Sequence, residues 1–101
     1  MFSTSLDGHS RRLMVVLGQR LRAERVRQGI SATQFCERIQ VSRPTLRVME
    51  SGGGGSHFSH WIRAFVALER GAELETLLAP SENLIERLRQ EPQRRIRVGK
   101  P

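Results

Sequence analysis

Arginine is the residue type that gives this sequence most of its chemical capacity. Sixteen of the seventeen cationic residues are Arg, and with ten acidic residues the chain carries a formal charge of +7. A guanidinium is a rigid planar fork that binds phosphate, guanine or carboxylate. The charge balance favours a polyanionic partner, although an Arg-rich composition can equally follow from a GC-rich genome. Composition alone does not choose between these explanations.

The other reactive residue types do not form a recognisable catalytic or metal centre. The sequence has no nucleophile–base pair, carboxylate dyad or phosphate-loop signature, so we expect no enzymatic activity. Cys36 is the single cysteine, which excludes an intrachain disulfide and a multi-cysteine zinc site and fits a reducing compartment. The three His residues are not spaced as ligands. We therefore expect no metal and no cofactor.

The distribution of apolar and charged residues predicts where the chain acts. The longest apolar run, residues 13–17, is too short for a membrane span or a signal-peptide core, so we expect a cytoplasmic protein without membrane contact. Residues 1–50 contain nine Arg against four acidic residues, residues 51–93 contain four against six, and the last eight residues add four cations. This pattern predicts one face for a polyanion and another for protein contacts.

Hydrophobic periodicity predicts an all-α chain in three parts. Residues 1–10 are expected to form a flexible lead, residues 11–79 a five-helix domain, and residues 80–101 a C-terminal helix followed by a basic tail. The helices are predicted over residues 10–28, 31–40, 43–51, 57–70 and around 72–78, with the sixth beginning at Pro80-Ser81 and ending at Pro92. Four consecutive glycines, residues 52–55, must form a loop. Ser31, Ser42 and Ser56 are predicted N-caps.

The apolar positions of these helices predict the core. In the first helix they are Leu13, Leu17 and Leu21, and in the fourth they are Phe58, Trp61, Ile62, Phe65 and Leu68. The fifth helix contributes Leu74, Leu77 and Leu78.

The second and third helices, Ser31–Ile39 and Ser42–Ser51, are predicted to form a helix-turn-helix unit. Cys36 is small enough for the two helices to cross closely, and Val41 fills the turn. Leu46 and Met49 face the core. The residues of the third helix that then face outward are Arg43, Pro44, Thr45, Arg47 and Val48.

Residues 29–52, GISATQFCERIQVSRPTLRVMESG, resemble without gaps the helix-turn-helix segment of Xre-type proteins of the phage Cro/repressor class. The resemblance continues over residues 17–79. Within that class, the VSRPTLRVMESG string, the glycine-rich loop and the RAFVALERGAELETLLAP segment with a basic tail resemble HipB-like antitoxins, which are encoded beside a HipA-type kinase toxin. Three residues depart from the family pattern. Glu24 stands where the family usually has an apolar residue of the first helix, Ala32 where it often has a phosphate-binding Gln, and Gln40 where it usually has Gly.

The resemblance implies roles for the exposed residues. First-turn residues of the third helix reach base edges in the major groove, where an Arg fork bonds guanine O6 and N7 together. The implied base-reading residues are Arg43, Pro44, Thr45 and Val48. The implied phosphate-binding residues are Ser31, Thr33, Ser42, Arg47, Gly53, Gly54, Gly55 and Ser56, although the glycine run is otherwise only a flexible connector. Arg25 and Glu50 occupy positions that form a structural salt bridge in the class.

The C-terminal third is expected to mediate dimerisation. Leu84, Ile85 and Leu88 form a narrow apolar stripe, and Ile96 and Val98 alternate with Arg as in an edge strand. Two tail strands paired across a two-fold axis would satisfy their exposed backbone groups. The competing interpretation of the tail is a disordered basic arm that adds phosphate contacts.

Three functions follow from these features. The first is a homodimeric repressor that binds a palindromic double-stranded DNA operator, is nucleoid-associated when bound, and serves as the antitoxin and autoregulator of a HipA-type operon. The second is a free-standing Xre-type regulator without a toxin partner. The third is a protein-interaction adaptor that has lost DNA binding.

Overall fold

The computed structural model describes residues 7–90, apart from the side chains of Leu84 and Ile85. Over this range the predicted all-α helix-turn-helix bundle is confirmed, with no strand among the described residues. The helices are α1 (Gly8–Arg27), α2 (Ala32–Ile39), α3 (Arg43–Ser51), α4 (Phe58–Ala67), α5 (Ala72–Glu75) and α6 (Glu82–Gln90). None of the described helices is long and apolar enough to cross a membrane.

Helix α1 begins earlier than its sequence periodicity predicts. The Asp7 carboxylate accepts a hydrogen bond from the Ser10 backbone N–H at 2.7 Å, and this bond lowers the pKa of Asp7. An N-terminal carboxylate cap satisfies an amide that has no partner within the helix. Residues 8–10, expected in the flexible lead, therefore form the first turn of α1.

The two helices of the helix-turn-helix unit begin and end as predicted. The Ser31 and Ser42 hydroxyls each accept a hydrogen bond from an N–H in the first turn of α2 and α3 respectively. Gln40 ends α2 in the left-handed region, at φ 60° and ψ 49°. Gln40 thus adopts the left-handed conformation that glycine adopts most easily, which costs a modest amount of backbone free energy.

The core forms among the first four helices, with α3 packed on α1 and α2 packed on α3 and α4. Its largest fully buried side chains are Phe35 and Ile39 from α2 and Leu46 and Met49 from α3. Trp61, Ala64 and Leu68 of the α4 segment, together with Leu21, Ile30 and Cys36, complete the buried cluster.

Several predicted core and cap positions are wrong. Leu13 and Leu17 are 56% and 39% exposed, because α1 turns Gly18, Leu21 and Arg25 inward instead. In α4 the inward positions are Trp61 and Ala64, which leaves Phe58 65% and Ile62 39% exposed. The N-cap of α4 is His57 rather than Ser56, and its side chain makes no capping hydrogen bond.

The segment after α4 also departs from the prediction. Helix α4 ends at Ala67, before Gly71, because Glu69 adopts φ 60° and the Arg70 N–H bonds the Phe65 carbonyl at 2.8 Å. Helix α5 is a single turn, and Leu77 and Leu78 beyond it are exposed. Of the predicted dimerisation residues, Leu88 is half-buried. Ile96 and Val98, like the side chains of Leu84 and Ile85, lie outside the described part of the chain.

The α1 and α3 backbones approach each other closely at two glycines. A Cβ on Gly18 would lie 2.5 Å from the Met49 carbonyl oxygen, and one on Gly52 would lie 2.6 Å from the Val15 Cα. Gly52 also has φ 85°, a conformation that other residues rarely adopt. The packing of α1 against the C-terminal half of α3 therefore depends on the absence of side chains at these positions.

A bidentate ion pair between Arg25 of α1 and Glu50 of α3 joins the same two helices. Arg25 donates from Nε to Glu50 Oε2 at 2.8 Å and from Nη2 to Oε1 at 3.2 Å. Its Nη1 donates to the Ile30 carbonyl at 2.9 Å. Arg25 is only 7% exposed, so this arrangement satisfies both a buried charge and a buried carbonyl.

A second polar cluster fixes the end of α1 to the segment that follows α4. Glu24 accepts hydrogen bonds from Arg27 and Gln28, and Arg70 Nη1 lies 3.3 Å from its carboxylate. Gln28 also donates to the Leu68 carbonyl at 3.0 Å. The hydrogen bonds from Arg27 and Gln28 lower the pKa of Glu24 to about 2. Glu24 therefore keeps its charge, and its contacts with both segments, to a lower pH than a glutamate with the ordinary pKa would.

We predict that Gly18→Ala destabilises the fold. Overpacking a close contact costs about 1–3 kcal/mol, which exceeds the gain of up to about 1 kcal/mol from the better helix propensity of Ala. Urea unfolding followed by far-UV circular dichroism gives the difference. Gly54→Ala is the matched control, because a Cβ there meets no atom within 4 Å. Equal unfolding midpoints for the two variants would contradict the close-packing argument.

We predict that Glu50→Gln and Arg25→Met each lower the free energy of unfolding by about 3–5 kcal/mol, because each change leaves the other charge buried without its partner. Thermal melts of the two variants provide the measurement. Glu37→Gln, at an exposed position of α2, is the control and is expected to melt like the wild type. The double variant Arg25→Met/Glu50→Leu is expected to recover much of the loss. Additive losses in the double variant would show that the pair is not coupled.

Candidate nucleic-acid interface

The first turn of α3 presents its side chains away from the core. Arg43 and Pro44 are exposed, Thr45 is half-buried, and Val48 lies one turn further on with 39% of its surface exposed. Pro44 fits this turn because its missing N–H would have no partner within the helix. The Ser42 hydroxyl donates to Thr45 Oγ1 at 3.0 Å, so the Thr45 hydroxyl takes part in the helix cap. The Thr45 methyl group remains for apolar contact.

Arg43 has a defined orientation on this surface. Its Nη1 donates to Thr33 Oγ1 at 3.0 Å, across from the first turn of α3 to the first turn of α2. This bond uses one of the five guanidinium donors. The structure thus brings together a residue implied to read bases and a residue implied to bind phosphate.

The start of α2 offers backbone amides beside Arg43. Ser31 and Gln34 form a reciprocal capping box, in which Ser31 Oγ accepts from the Gln34 N–H and Gln34 Oε1 accepts from the Ser31 N–H. Both Ser31 and Thr33 are exposed. The positive end of a helix with exposed N–H groups attracts anions. Arg47, also exposed, lies one turn beyond Arg43 on α3.

The glycine loop contributes less than the sequence implies. The Gly53 N–H donates to the Val48 carbonyl at 2.9 Å, and a Cβ on Gly53 would lie 3.1 Å from a Val48 methyl group. The Gly53 amide is therefore used in ending α3. Gly54 and Gly55 are exposed and have no atom near an added Cβ, while Ser56 is half-buried. Gly54 and Gly55 remain the accessible members of this loop.

A cleft of about 340 Å³ opens beside the Arg43 side chain. Helices α1 and α3 supply its charged walls, and Ala32 and Leu46 supply apolar surface. The charged lining residues are Arg22, Arg25, Arg43, Arg47 and Glu50. The sequence motif indicates roles for Arg43 and Arg47 of α3 but none for Arg22. Arg22 joins them only because α1 crosses α3, and the sequence pattern does not show this crossing.

Two reactive side chains away from this surface, those of Cys36 and His60, have pKa values that their surroundings shift. Burial raises the pKa of the Cys36 thiol, which keeps it protonated. Burial, followed by the charges of Arg63 and His57, lowers the pKa of His60. Within residues 7–90, no group of three His, Cys, Asp or Glu side chains is placed to hold a metal ion.

Comparison with known proteins agrees with this geometry. A family model described as a helix-turn-helix domain matches residues 16–78, from within α1 to the residues that follow α5. The match includes the two helices and the turn of the predicted unit. Searches of curated proteins and of solved structures give no match. Because the family model covers more than half of the sequence, the chain belongs to the helix-turn-helix domain family.

Proposed function

We propose that this protein is a sequence-specific transcriptional repressor that binds double-stranded DNA with α3 in the major groove. Membership of the helix-turn-helix family indicates a DNA-binding regulator. The observation that carries the finer proposal is Arg43, exposed in the first turn of α3 and oriented by its hydrogen bond to Thr33. A guanidinium at that place is suited to bond guanine O6 and N7 together.

The other exposed groups are assigned by their chemistry. Pro44, the Thr45 methyl group and Val48 suit contact with a thymine methyl group. Arg47 and the amides at the start of α2 suit the DNA backbone, which positions a protein without reading sequence. Residues assigned to phosphate in addition to Arg47 are Ser31, Thr33 and Ser42, with Gly54 and Gly55 in the loop.

The repressor is proposed to act as a homodimer on a palindromic operator. One protomer presents about two to four base-reading side chains, too few to specify a genomic site, and two copies read half-sites about 34 Å apart. Exposed apolar side chains support association: Phe58 and Val66 on α4 are 65% and 61% exposed. Leu84, Ile85, Leu88, Ile96 and Val98 are assigned to dimerisation from the sequence pattern alone.

The finer biological role rests on the resemblance to HipB-like antitoxins. On the basis of this resemblance, we propose that a HipA-type kinase toxin is the partner and that the protein regulates the operon the two share. The competing proposal is a free-standing regulator without a toxin. The identity of the adjacent reading frame, followed by co-purification with its product, separates these two. An adaptor without DNA binding is distinguished from both by the absence of any duplex affinity.

We predict that Arg43→Ala weakens binding to a duplex selected by the wild-type protein from a random pool. Loss of a bidentate Arg–guanine contact costs about 1–3 kcal/mol and relaxes one position of each half-site. Fluorescence anisotropy measures the affinity, and repeating the selection with the variant shows which position has relaxed. Arg87→Ala removes the same charge from α6 and is expected to leave the selected sequence unchanged. If Arg43→Ala kept the wild-type affinity and selectivity, Arg43 would not read a base, and the assignment of α3 as the recognition helix would be wrong.

We predict that truncation after Pro92 weakens dimerisation at every salt concentration if the tail pairs as a strand. If the tail is instead a basic arm, truncation leaves the dimer constant unchanged and mainly reduces the salt dependence of DNA binding. Sedimentation equilibrium of the truncated and full-length proteins measures the dimer constant. An unchanged constant would rule out the strand and assign the tail to the DNA backbone.

A further inference from the structure

We propose that Arg22 of α1 and Arg47 of α3 together clamp one phosphate of the DNA backbone over Ala32. This site rests on the proposed DNA-binding function and extends it to a helix outside the helix-turn-helix unit. Neither the motif nor the family match assigns a role to Arg22.

The charge of the cleft beside α3 favours an anion. Four guanidinium groups line it against a single carboxylate, that of Glu50. Arg25 binds both oxygens of that carboxylate and is 7% exposed, so these two charges compensate each other. Arg43 donates to the Thr33 hydroxyl, which is neutral, so Arg43 keeps its charge and is assigned to a base. The positive charge not compensated by a carboxylate is therefore that of Arg22, Arg43 and Arg47, of which Arg22 and Arg47 are left for a phosphate.

Both of these side chains are accessible and weakly held. The Arg22 side chain is 66% exposed, and its closest charged contact is Nε at 4.0 Å from Glu50 Oε1, the outer limit of an ion pair. Arg47 is exposed and makes no hydrogen bond or ion pair with another residue of the 7–90 range. A guanidinium that is only loosely held is free to turn toward a phosphate oxygen, because little interaction is lost on leaving its resting position.

The floor of the cleft leaves room for a phosphate. Ala32 lines the cleft together with the two Arg residues and has no side chain beyond Cβ, so it occupies little space at the first turn of α2. The capping box uses the N–H groups of Ser31 and Gln34, so those of Ala32 and Thr33 are the first-turn amides left for an anion at the positive end of the α2 dipole. A phosphate there meets charge from α1 on one side and from α3 on the other. The phosphate thus bridges two helices that are already fixed by the Arg25–Glu50 pair.

A salt titration with non-specific DNA tests this clamp. The probe is a fluorescein-labelled mixed-sequence duplex of about 30 base pairs. Its binding depends on phosphate contacts. Each contact contributes about 0.9 to the slope of log K against log salt concentration. Slopes are expressed per bound protomer. We expect the double variant Arg22→Gln/Arg47→Gln to reduce the slope by about 0.9, and each single variant to reduce it by less, because the remaining Arg still contacts the shared phosphate. We expect Arg22→Lys to keep the wild-type slope.

Arg20→Gln is the matched control, since it removes the same charge from the same helix. Arg20 lines a different cleft, together with Leu17, Trp61 and Phe65, and its removal is expected to leave the slope unchanged. A double variant whose slope equals that of Arg47→Gln alone, or an equal loss when Arg20→Gln replaces Arg22→Gln, would overturn the proposal. A loss of about 1.8 in the double variant would show two separate phosphate contacts and overturn the shared clamp. If the wild-type protein does not bind the duplex, the proposed function itself fails, which separates that outcome from the others.

Discussion

The close contact between the backbones of α1 and α3 at Gly18 is the constraint on which the rest of the structure depends. A Cβ at Gly18 would lie within 3 Å of the Met49 and Glu50 carbonyl groups, so only the smallest residue permits this crossing. The crossing places Arg25 within hydrogen-bonding distance of Glu50. The buried ion pair then requires a particular register of α3 on α1, because a shift of one residue would leave a buried charge unpaired. The orientation of α3, and therefore of its exposed face, follows from this contact.

The buried side of α3 determines which residues its opposite side can present to a ligand. The inward positions Leu46 and Met49 are fully buried, so the opposite side of the helix must carry the polar and charged residues. Arg43 donates a hydrogen bond to Thr33, and under the proposed function this restraint would reduce the rotamer entropy lost when the side chain binds a base. In the proposed complex, a rigidly held helix and an already oriented guanidinium would raise the affinity for DNA by lowering the cost of ordering rather than by adding contacts.

The sequence predicts the helix-turn-helix unit well because its signals are local. Ser31 and Ser42 cap the two helices, and the apolar spacing of Phe35, Ile39, Leu46 and Met49 places the core at the observed positions. The errors occur where tertiary packing decides between several apolar residues. Helices α1 and α4 each carry more apolar residues than a small core accommodates, so Leu13 and Phe58 remain exposed. The Gly53 amide was assigned to phosphate, but it is used in ending α3, a contact that the sequence pattern does not specify.

The cleft shows why a site between elements is harder to read from sequence than a site on one element. Arg43 and Arg47 are one turn apart on the same helix, so spacing alone places them on a common face. Arg22 lies about twenty residues earlier in the chain and joins them only because Gly18 lets α1 cross α3 so closely. The same close crossing brings Arg22 to the Glu50 carboxylate without pairing it, since Arg25 already occupies both oxygens. A single structural ion pair thus both holds the fold together and leaves a neighbouring guanidinium available for a ligand.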